Sequence, residues 1–170
     1  MSTRLLGVDL GSRRIGLAIA DAAVGIARPL ATVTRAETVA DDAATLGRVC
    51  DEQRIDELVV GLPLEASGDE GPMSADARAW AEALGALLVR PVTLRDERLS
   101  SYTAEQRIGA QARTRRGGVP SRAQRNAHRA RIDREAAAVI LQDELDARQQ
   151  ASRAPATPAA ALAGPQEDER

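Results

Sequence analysis

Apolar residues fill positions 5–8 and return through 15–20, and a short stretch rich in glycine and arginine separates the two runs. That pattern predicts strands over residues 4–9 and 14–20 joined as a hairpin. A third strand is expected over 26–33, with Pro29 marking an edge or a bulge. Residues 41–53 have helical spacing, with Ala44 and Val49 among the apolar positions. Residues 57–63, "ELVVGLP", form a continuous apolar run stopped by Gly61 and Pro63, as a central buried strand requires. After a polar loop over 65–72, Ser74 is placed to cap a helix presenting Ala77, Trp80, Ala81, Leu84, Leu87 and Leu88 on one face. A brief strand over 92–94 runs into "RDER", and residues 103–111 are expected to be helical. The paired glycines and proline within 113–122 predict a loop, and 131–148 predict the clearest helix of the chain.

Three strands in meander, then alternating helix and strand, then helices, give an α/β domain with a mixed five-stranded sheet flanked by helices. Residues 1–148 are expected to be that domain. Residues 149–170 are Ala/Pro-rich without periodicity and are expected to be a disordered tail.

Composition narrows the chemistry. There is no Phe, one Trp and one Tyr in 170 residues, so the core must be aliphatic, and binding of single strands by base stacking on exposed rings is disfavoured. All 23 basic residues are Arg. The net charge of −2 conceals a segregation. Residues 106–134 hold nine Arg and one acid, net +8, leaving 14 Arg and 24 acids, net −10, elsewhere. Such a basic segment suits a polyanion, although a solvated arginine face is the plainer alternative. Cys50 is alone, which excludes a disulfide framework, and no run is apolar and long enough for a signal peptide or a membrane span. A cytoplasmic protein with no membrane partner is expected.

Three carboxylates occupy unusual places. Asp9 ends the first strand, Glu97 follows the fifth, and Asp133 is expected to open the last helix on the face carrying Ala136, Ala137, Ile140 and Leu141. If the first and fifth strands are neighbours in a parallel part of the sheet, their ends share a rim. Carboxylates gathered there repel one another unless cations lie among them, and hard oxygen ligands suit Mg²⁺ or Mn²⁺. Divalent ions held in this way support phosphodiester hydrolysis. Each acid also has a simpler role open to it. Asp9 would cap the hairpin turn, Glu97 would pair with Arg95 or Arg98, and Asp133 would serve the helix start beside Arg129. His128, the single histidine, has no partner of its kind and reads as a surface or phosphate-contact residue.

Taken together, "GVDLGSRRIGLAIAD", "VVGLPL", "SGDEGP", "DERLSS" and "IDREAAAVILQDEL" resemble the YqgF/RuvX family, from about residue 5 to 145. The resemblance implies an RNase H-like fold and a metal-dependent nuclease, with processing of pre-16S rRNA ends as the activity and Holliday-junction or branched-DNA resolution as the alternative. It implies Asp9, Glu97 and Asp133 as catalytic metal ligands. Nucleic-acid contacts are then expected from Gly11, Arg13, Arg14, Arg98, Arg113, Arg115, Arg116, Arg122 and Arg129. Glu65, after "GLPL", departs from the family's usual asparagine. Two other classes remain. Asp9, Gly11 and Gly16 also fit the phosphate loop of actin-like and sugar-kinase ATPases, which need two such lobes. A non-catalytic nucleic-acid or ribosome-binding protein would share the basic segment but not depend on the acids. Structured RNA and branched DNA are both compatible with the residues, and no dimer interface is legible, which leaves a homodimer open.

Overall fold

The first two apolar runs become β1 (Arg4–Leu10) and β2 (Arg14–Asp21), paired antiparallel from Arg4↔Asp21 to Leu10↔Ile15. Their turn is closed by the Gly11 amide donating to the Arg14 carbonyl at 3.0 Å. A Cβ at residue 11 would lie 2.8 Å from that same carbonyl oxygen, so the turn needs glycine there. The computed structural model describes residues 2–64, 68–97, 100–109 and 121–153, with the side chains of Ser100 and Ser101 left aside.

The third strand, β3 (Arg28–Thr34), adds to the outer side of β2, and Pro29 lies on this edge strand as its missing amide hydrogen requires. α1 (Val39–Gln53) follows, its amino end capped by Thr38, which accepts from the Asp41 amide. β4 (Glu57–Leu62) then inserts parallel to β1, and β5 (Val92–Asp96) parallel to β4, giving the order β3-β2-β1-β4-β5. The predicted mixed five-stranded sheet with an antiparallel meander is what forms.

Alternation along the strands sorts the core into two layers. On one face Leu6, Val8, Ile15, Leu17, Leu58 and Val60 pack against α1 and against α2 (Pro72–Leu88) through Leu46, Cys50, Trp80, Ala81 and Leu84. Within that layer the buried Asp42 carboxylate accepts from the Trp80 indole at 3.0 Å and the Ala36 amide at 2.8 Å, which offsets its burial. On the other face Leu5, Ala18, Ala20 and Val59 meet Ala137, Ile140, Leu141 and Leu145 of the last helix, α4 (Arg122–Arg153). A shorter helix, α3 (Ser100–Ile108), packs on α4, and Arg107 pairs with Glu135 at 3.2 Å.

Several boundaries and roles differ from expectation. Ser74 is not the cap of α2. Gly71 holds that position, and the buried Ser74 hydroxyl accepts from the Gly71 amide and donates to the Pro63 carbonyl. Leu87 is 54% exposed, whereas Leu88 beside it packs on the core layer. Helix α3 ends at Ile108, before the predicted 111.

The largest correction concerns α4, which begins at Arg122 rather than 131. Ser121 and Gln124 form a reciprocal cap there, with the Gln124 amide donating to Ser121 Oγ at 3.2 Å and the Ser121 amide to Gln124 Oε1 at 2.7 Å. Asp133 therefore lies about three turns inside the helix, and cannot be an acid at a helix start. The helix also continues through residues 149–153, which composition assigns to the tail. Residues 154–170, Glu65 and most of the predicted 113–122 loop lie outside the described residues.

Candidate active site

The side chains of β1 that face α4 are Leu5, Gly7 and then Asp9, so the first carboxylate continues a buried row at the end of its strand. On either side of it the neighbouring strand carries a glycine. Gly16 is its partner in β2, and Gly61 follows Val60, the β4 partner of Val8. A Cβ at Gly16 would lie 2.0 Å from the Asp133 carbonyl oxygen, so the α4 backbone rests directly on β2 at this point. That contact sets Asp133 beside Asp9.

Glu97 arrives from the opposite side. Its amide donates to the Leu62 carbonyl at 3.2 Å, which extends the β4–β5 pairing by one residue past Asp96. Its carboxylate then lies over Gly61, where a Cβ would meet Oε2 at 2.0 Å and Ile140 Cδ1 at 2.7 Å. Two bare glycines thus open the space around Asp9 into which Asp133 and Glu97 converge.

Electrostatics report the same convergence. Burial, and next the Asp133 charge, push the Asp9 carboxyl up to about 7. Burial, then Asp9, then Asp96 push Glu97 up to about 8. Asp133 itself is engaged by Arg14, whose Nε donates to Oδ2 at 2.5 Å. Among the described residues no three His, Cys, Asp or Glu side chains close into a metal cage. The donor set still suits a hard divalent cation. It consists of carboxylates close enough that Asp133 raises the proton affinity of Asp9 and Asp9 that of Glu97, in a space that glycines keep clear.

The simpler roles of Asp9 and Asp133 are not taken up, and of the two arginines expected to pair with Glu97 only Arg95 lies among the described residues. The hairpin turn is closed by backbone groups rather than by Asp9. Arg95 donates to the Asp143 carbonyl at 3.0 Å and lies 3.5 Å from Glu144, away from Glu97. The partner of Asp133 is Arg14, 119 residues distant in sequence, and not Arg129.

Beside Asp133 opens a cavity of about 320 Å³ lined by Gly11, Ser12, Arg13, Arg14, Arg129 and Asp133. It brings together four of the residues expected to contact nucleic acid. Arg122 is exposed two turns before Arg129 on the same helix face. Arg98, Arg113, Arg115 and Arg116 lie outside the described residues. His128 is half-buried on α4.

Sequence reasoning misses Arg14 as the counter-ion of Asp133 and the two glycines as shapers of the site. A glycine inside an otherwise apolar strand is the available signal for both glycines. Gly16→Ala should therefore lift α4 from the sheet and displace Asp133. A stability loss of roughly 1–3 kcal/mol is expected in urea unfolding, and a wild-type unfolding midpoint would show the contact to be looser than described.

Comparison with known proteins places these features in a family. The RuvX family model, described as a Holliday junction resolvase, matches residues 3–147. A protein of Anaeromyxobacter dehalogenans strain 2CP-1 named "Putative pre-16S rRNA nuclease" is 48% identical over 145 residues, covering 85% of this chain and 98% of that protein. One of the same name from Thermosynechococcus vestitus is 38% identical over 150 residues, covering 88% of this chain and 92% of that protein. Among solved structures, T. thermophilus RuvC in complex with a Holliday junction substrate aligns at a TM-score of 0.50 and 15% identity, over 87% of this chain and 96% of that one. At that identity the likeness establishes the fold alone.

Proposed function

Because this chain belongs to the RuvX family, we propose that it is a divalent-metal-dependent nuclease hydrolysing phosphodiester bonds, acting in the cytoplasm on the ends of pre-16S rRNA. The observation that carries the reading is the gathering of Asp9, Glu97 and Asp133 around two glycines, with an arginine-lined cavity at its side. The names of the relatives support the RNA substrate. Among the described residues no helix is long and apolar enough to cross a membrane.

Asp9, Glu97 and Asp133 would hold Mg²⁺ or Mn²⁺, and such an ion supplies an activated water and stabilises the leaving oxygen. Arg13 and Arg129 neutralise the substrate phosphate from two sides of the cavity. Gly11 presents only backbone at the turn and lets the phosphate approach closely. Arg14 stands between the two regions, as ion-pair partner of Asp133 and as part of the cavity wall. With Asp133 holding a cation instead, Arg14 would be free to face the phosphate.

This exchange has a direct test. Arg14→Gln removes a positive charge next to the acids, so Mn²⁺ should bind about tenfold more tightly in calorimetry, equivalent to ~1.4 kcal/mol. Equal affinity in variant and wild type would show that Arg14 does not compete for Asp133.

The reading as a whole is tested by a cleavage panel of pre-16S rRNA fragments, single strands and four-way DNA junctions with Mg²⁺ and with Mn²⁺. Selective cutting of the rRNA fragments supports it. Selective cutting of junctions transfers the chain to the resolvase activity that the family description carries. Binding without cleavage of any substrate leaves a non-catalytic nucleic-acid binder.

A further inference from the structure

Helix α4 has a second basic flank that the nuclease reading does not use. Arg129 faces the cavity at the hairpin, but Arg131, two residues and about 200° further around the helix, faces away from it. There Arg131 and Arg134 join Pro29 and Leu30 of β3, Ile108 of α3 and Glu135 to line a groove of about 520 Å³.

The acid lining each groove is already occupied. Asp133 is paired with Arg14 at 2.5 Å and Glu135 with Arg107 at 3.2 Å. Among the described residues Arg131 and Arg134 form no ion pair, although Arg134 is half-buried. Partly desolvating a guanidinium is unfavourable unless an anion comes to it. The walls are held in place. Thr32 Oγ1 donates to the Ala130 carbonyl at 2.6 Å, which fastens α4 to the edge strand just before the two arginines. The Arg134 amide nitrogen would lie 3.0 Å from a Cβ at Gly16, so the base of that side chain is fixed against β2.

The two grooves are therefore separated by the body of one helix, about 10 Å across. That is on the scale of the grooves between the two sugar-phosphate backbones of a duplex, roughly 6–12 Å wide in B-DNA. A single extended strand lying in the hairpin cavity would have to turn around α4 to reach the second groove. A duplex presents a second backbone there.

We propose that the groove lined by Arg131 and Arg134 binds the second sugar-phosphate backbone of a double-stranded or folded-back nucleic acid whose first strand lies in the Arg13–Arg129 cavity. The inference rests on the nuclease reading and names its substrate class as paired rather than single-stranded.

Arg131→Ala/Arg134→Ala, prepared with Asp9→Asn to prevent cutting, should be titrated against a hairpin RNA and a single-stranded RNA of the same length over a range of salt. Hairpin affinity should fall about tenfold or more, with the slope of log K against log salt reduced by roughly 1.4–1.8, while single-strand affinity stays level. The charge-reversed Arg131→Glu/Arg134→Glu should lower hairpin binding further. Thermal melting should show both variants folded, because neither arginine is ion-paired among the described residues. Unchanged hairpin binding, or equal losses on the two probes, would overturn the proposal. In that event, cleavage of single strands by the same groove variants carrying native Asp9 would leave the nuclease reading standing. A wild-type protein that neither binds nor cuts either probe would remove both.

Discussion

Asp9→Asn should leave a folded protein whose cleavage rate is at least about a thousandfold below wild type, the scale on which loss of a transition-state electrostatic contact reads out. Asp9 is central to this expectation because both other acids act on or through it. Asp133 raises its proton affinity from one side, and Asp9 in turn raises that of Glu97 on the other. Asparagine keeps the shape and removes the charge, so the space between Gly16 and Gly61 is undisturbed. The substitution also removes a buried carboxylate held against like charges. In the absence of divalent ions at alkaline pH, the variant should therefore melt no lower than wild type, and above it if repulsion dominates. Loss of activity with retained or raised stability separates a functional role from a structural one. A fully active variant would take Asp9 out of the reaction, and with it the reading of the whole rim.

The second large effect is a pH dependence whose sign is opposite to that of ordinary acid denaturation. In the unfolded chain Asp9 and Glu97 ionise near 3.8 and 4.5, but in the folded protein they hold their protons to about 7 and about 8. Between those limits the folded state binds more protons than the unfolded one. Stability contributed by the protonated acids is thus full at low pH, falls as pH rises through the window, and levels off above about 8. Each tenfold rise in proton affinity on folding is worth ~1.36 kcal/mol, so the two acids together contribute on the order of several kcal/mol. At about 2–4 °C per kcal/mol for a chain of this size, a change of roughly 10–20 °C in Tm is expected.

Divalent ions should reverse the trend, because an ion bound among ionised carboxylates stabilises the folded state only where the protons have left. Melting curves at about pH 5 and about pH 8, each with and without millimolar Mg²⁺ or Mn²⁺, measure both effects. A shift on adding the ion that is large at the higher pH and small at the lower is the expected result. Indifference to the ion at both values would remove the metal site, and a Tm rising with pH would show the two acids to be less buried than described.

Much of the scaffold of this site is legible in the residues. The continuous apolar runs of β1 and β4 and the turn at Gly11 dictate the hairpin and the central strand by local physics. The three acids stand out because each follows or interrupts an apolar pattern. The arithmetic of nine arginines against one acid over residues 106–134 points to the basic side of the molecule before any contact is known. Even the start of α4 is written in Ser121 and Gln124, whose reciprocal cap the glycines and proline just upstream obscure.

Long-range packing alone decided the rest. That Arg14 and not Arg129 holds Asp133 follows from α4 lying across β2, a contact between residues 119 apart in sequence. The meaning of Gly16 and Gly61 likewise emerges only when a helix backbone and a carboxylate are seen to occupy the space a Cβ would take. Local propensity fixes where a strand or helix forms and which face is apolar. Which side chains meet across layers depends on register and on how closely two backbones approach. For this chain, the hairpin, the sheet strands and the basic segment were properties of sequence, whereas the convergence of Asp9, Glu97 and Asp133 and the two sides of α4 belong to the tertiary structure.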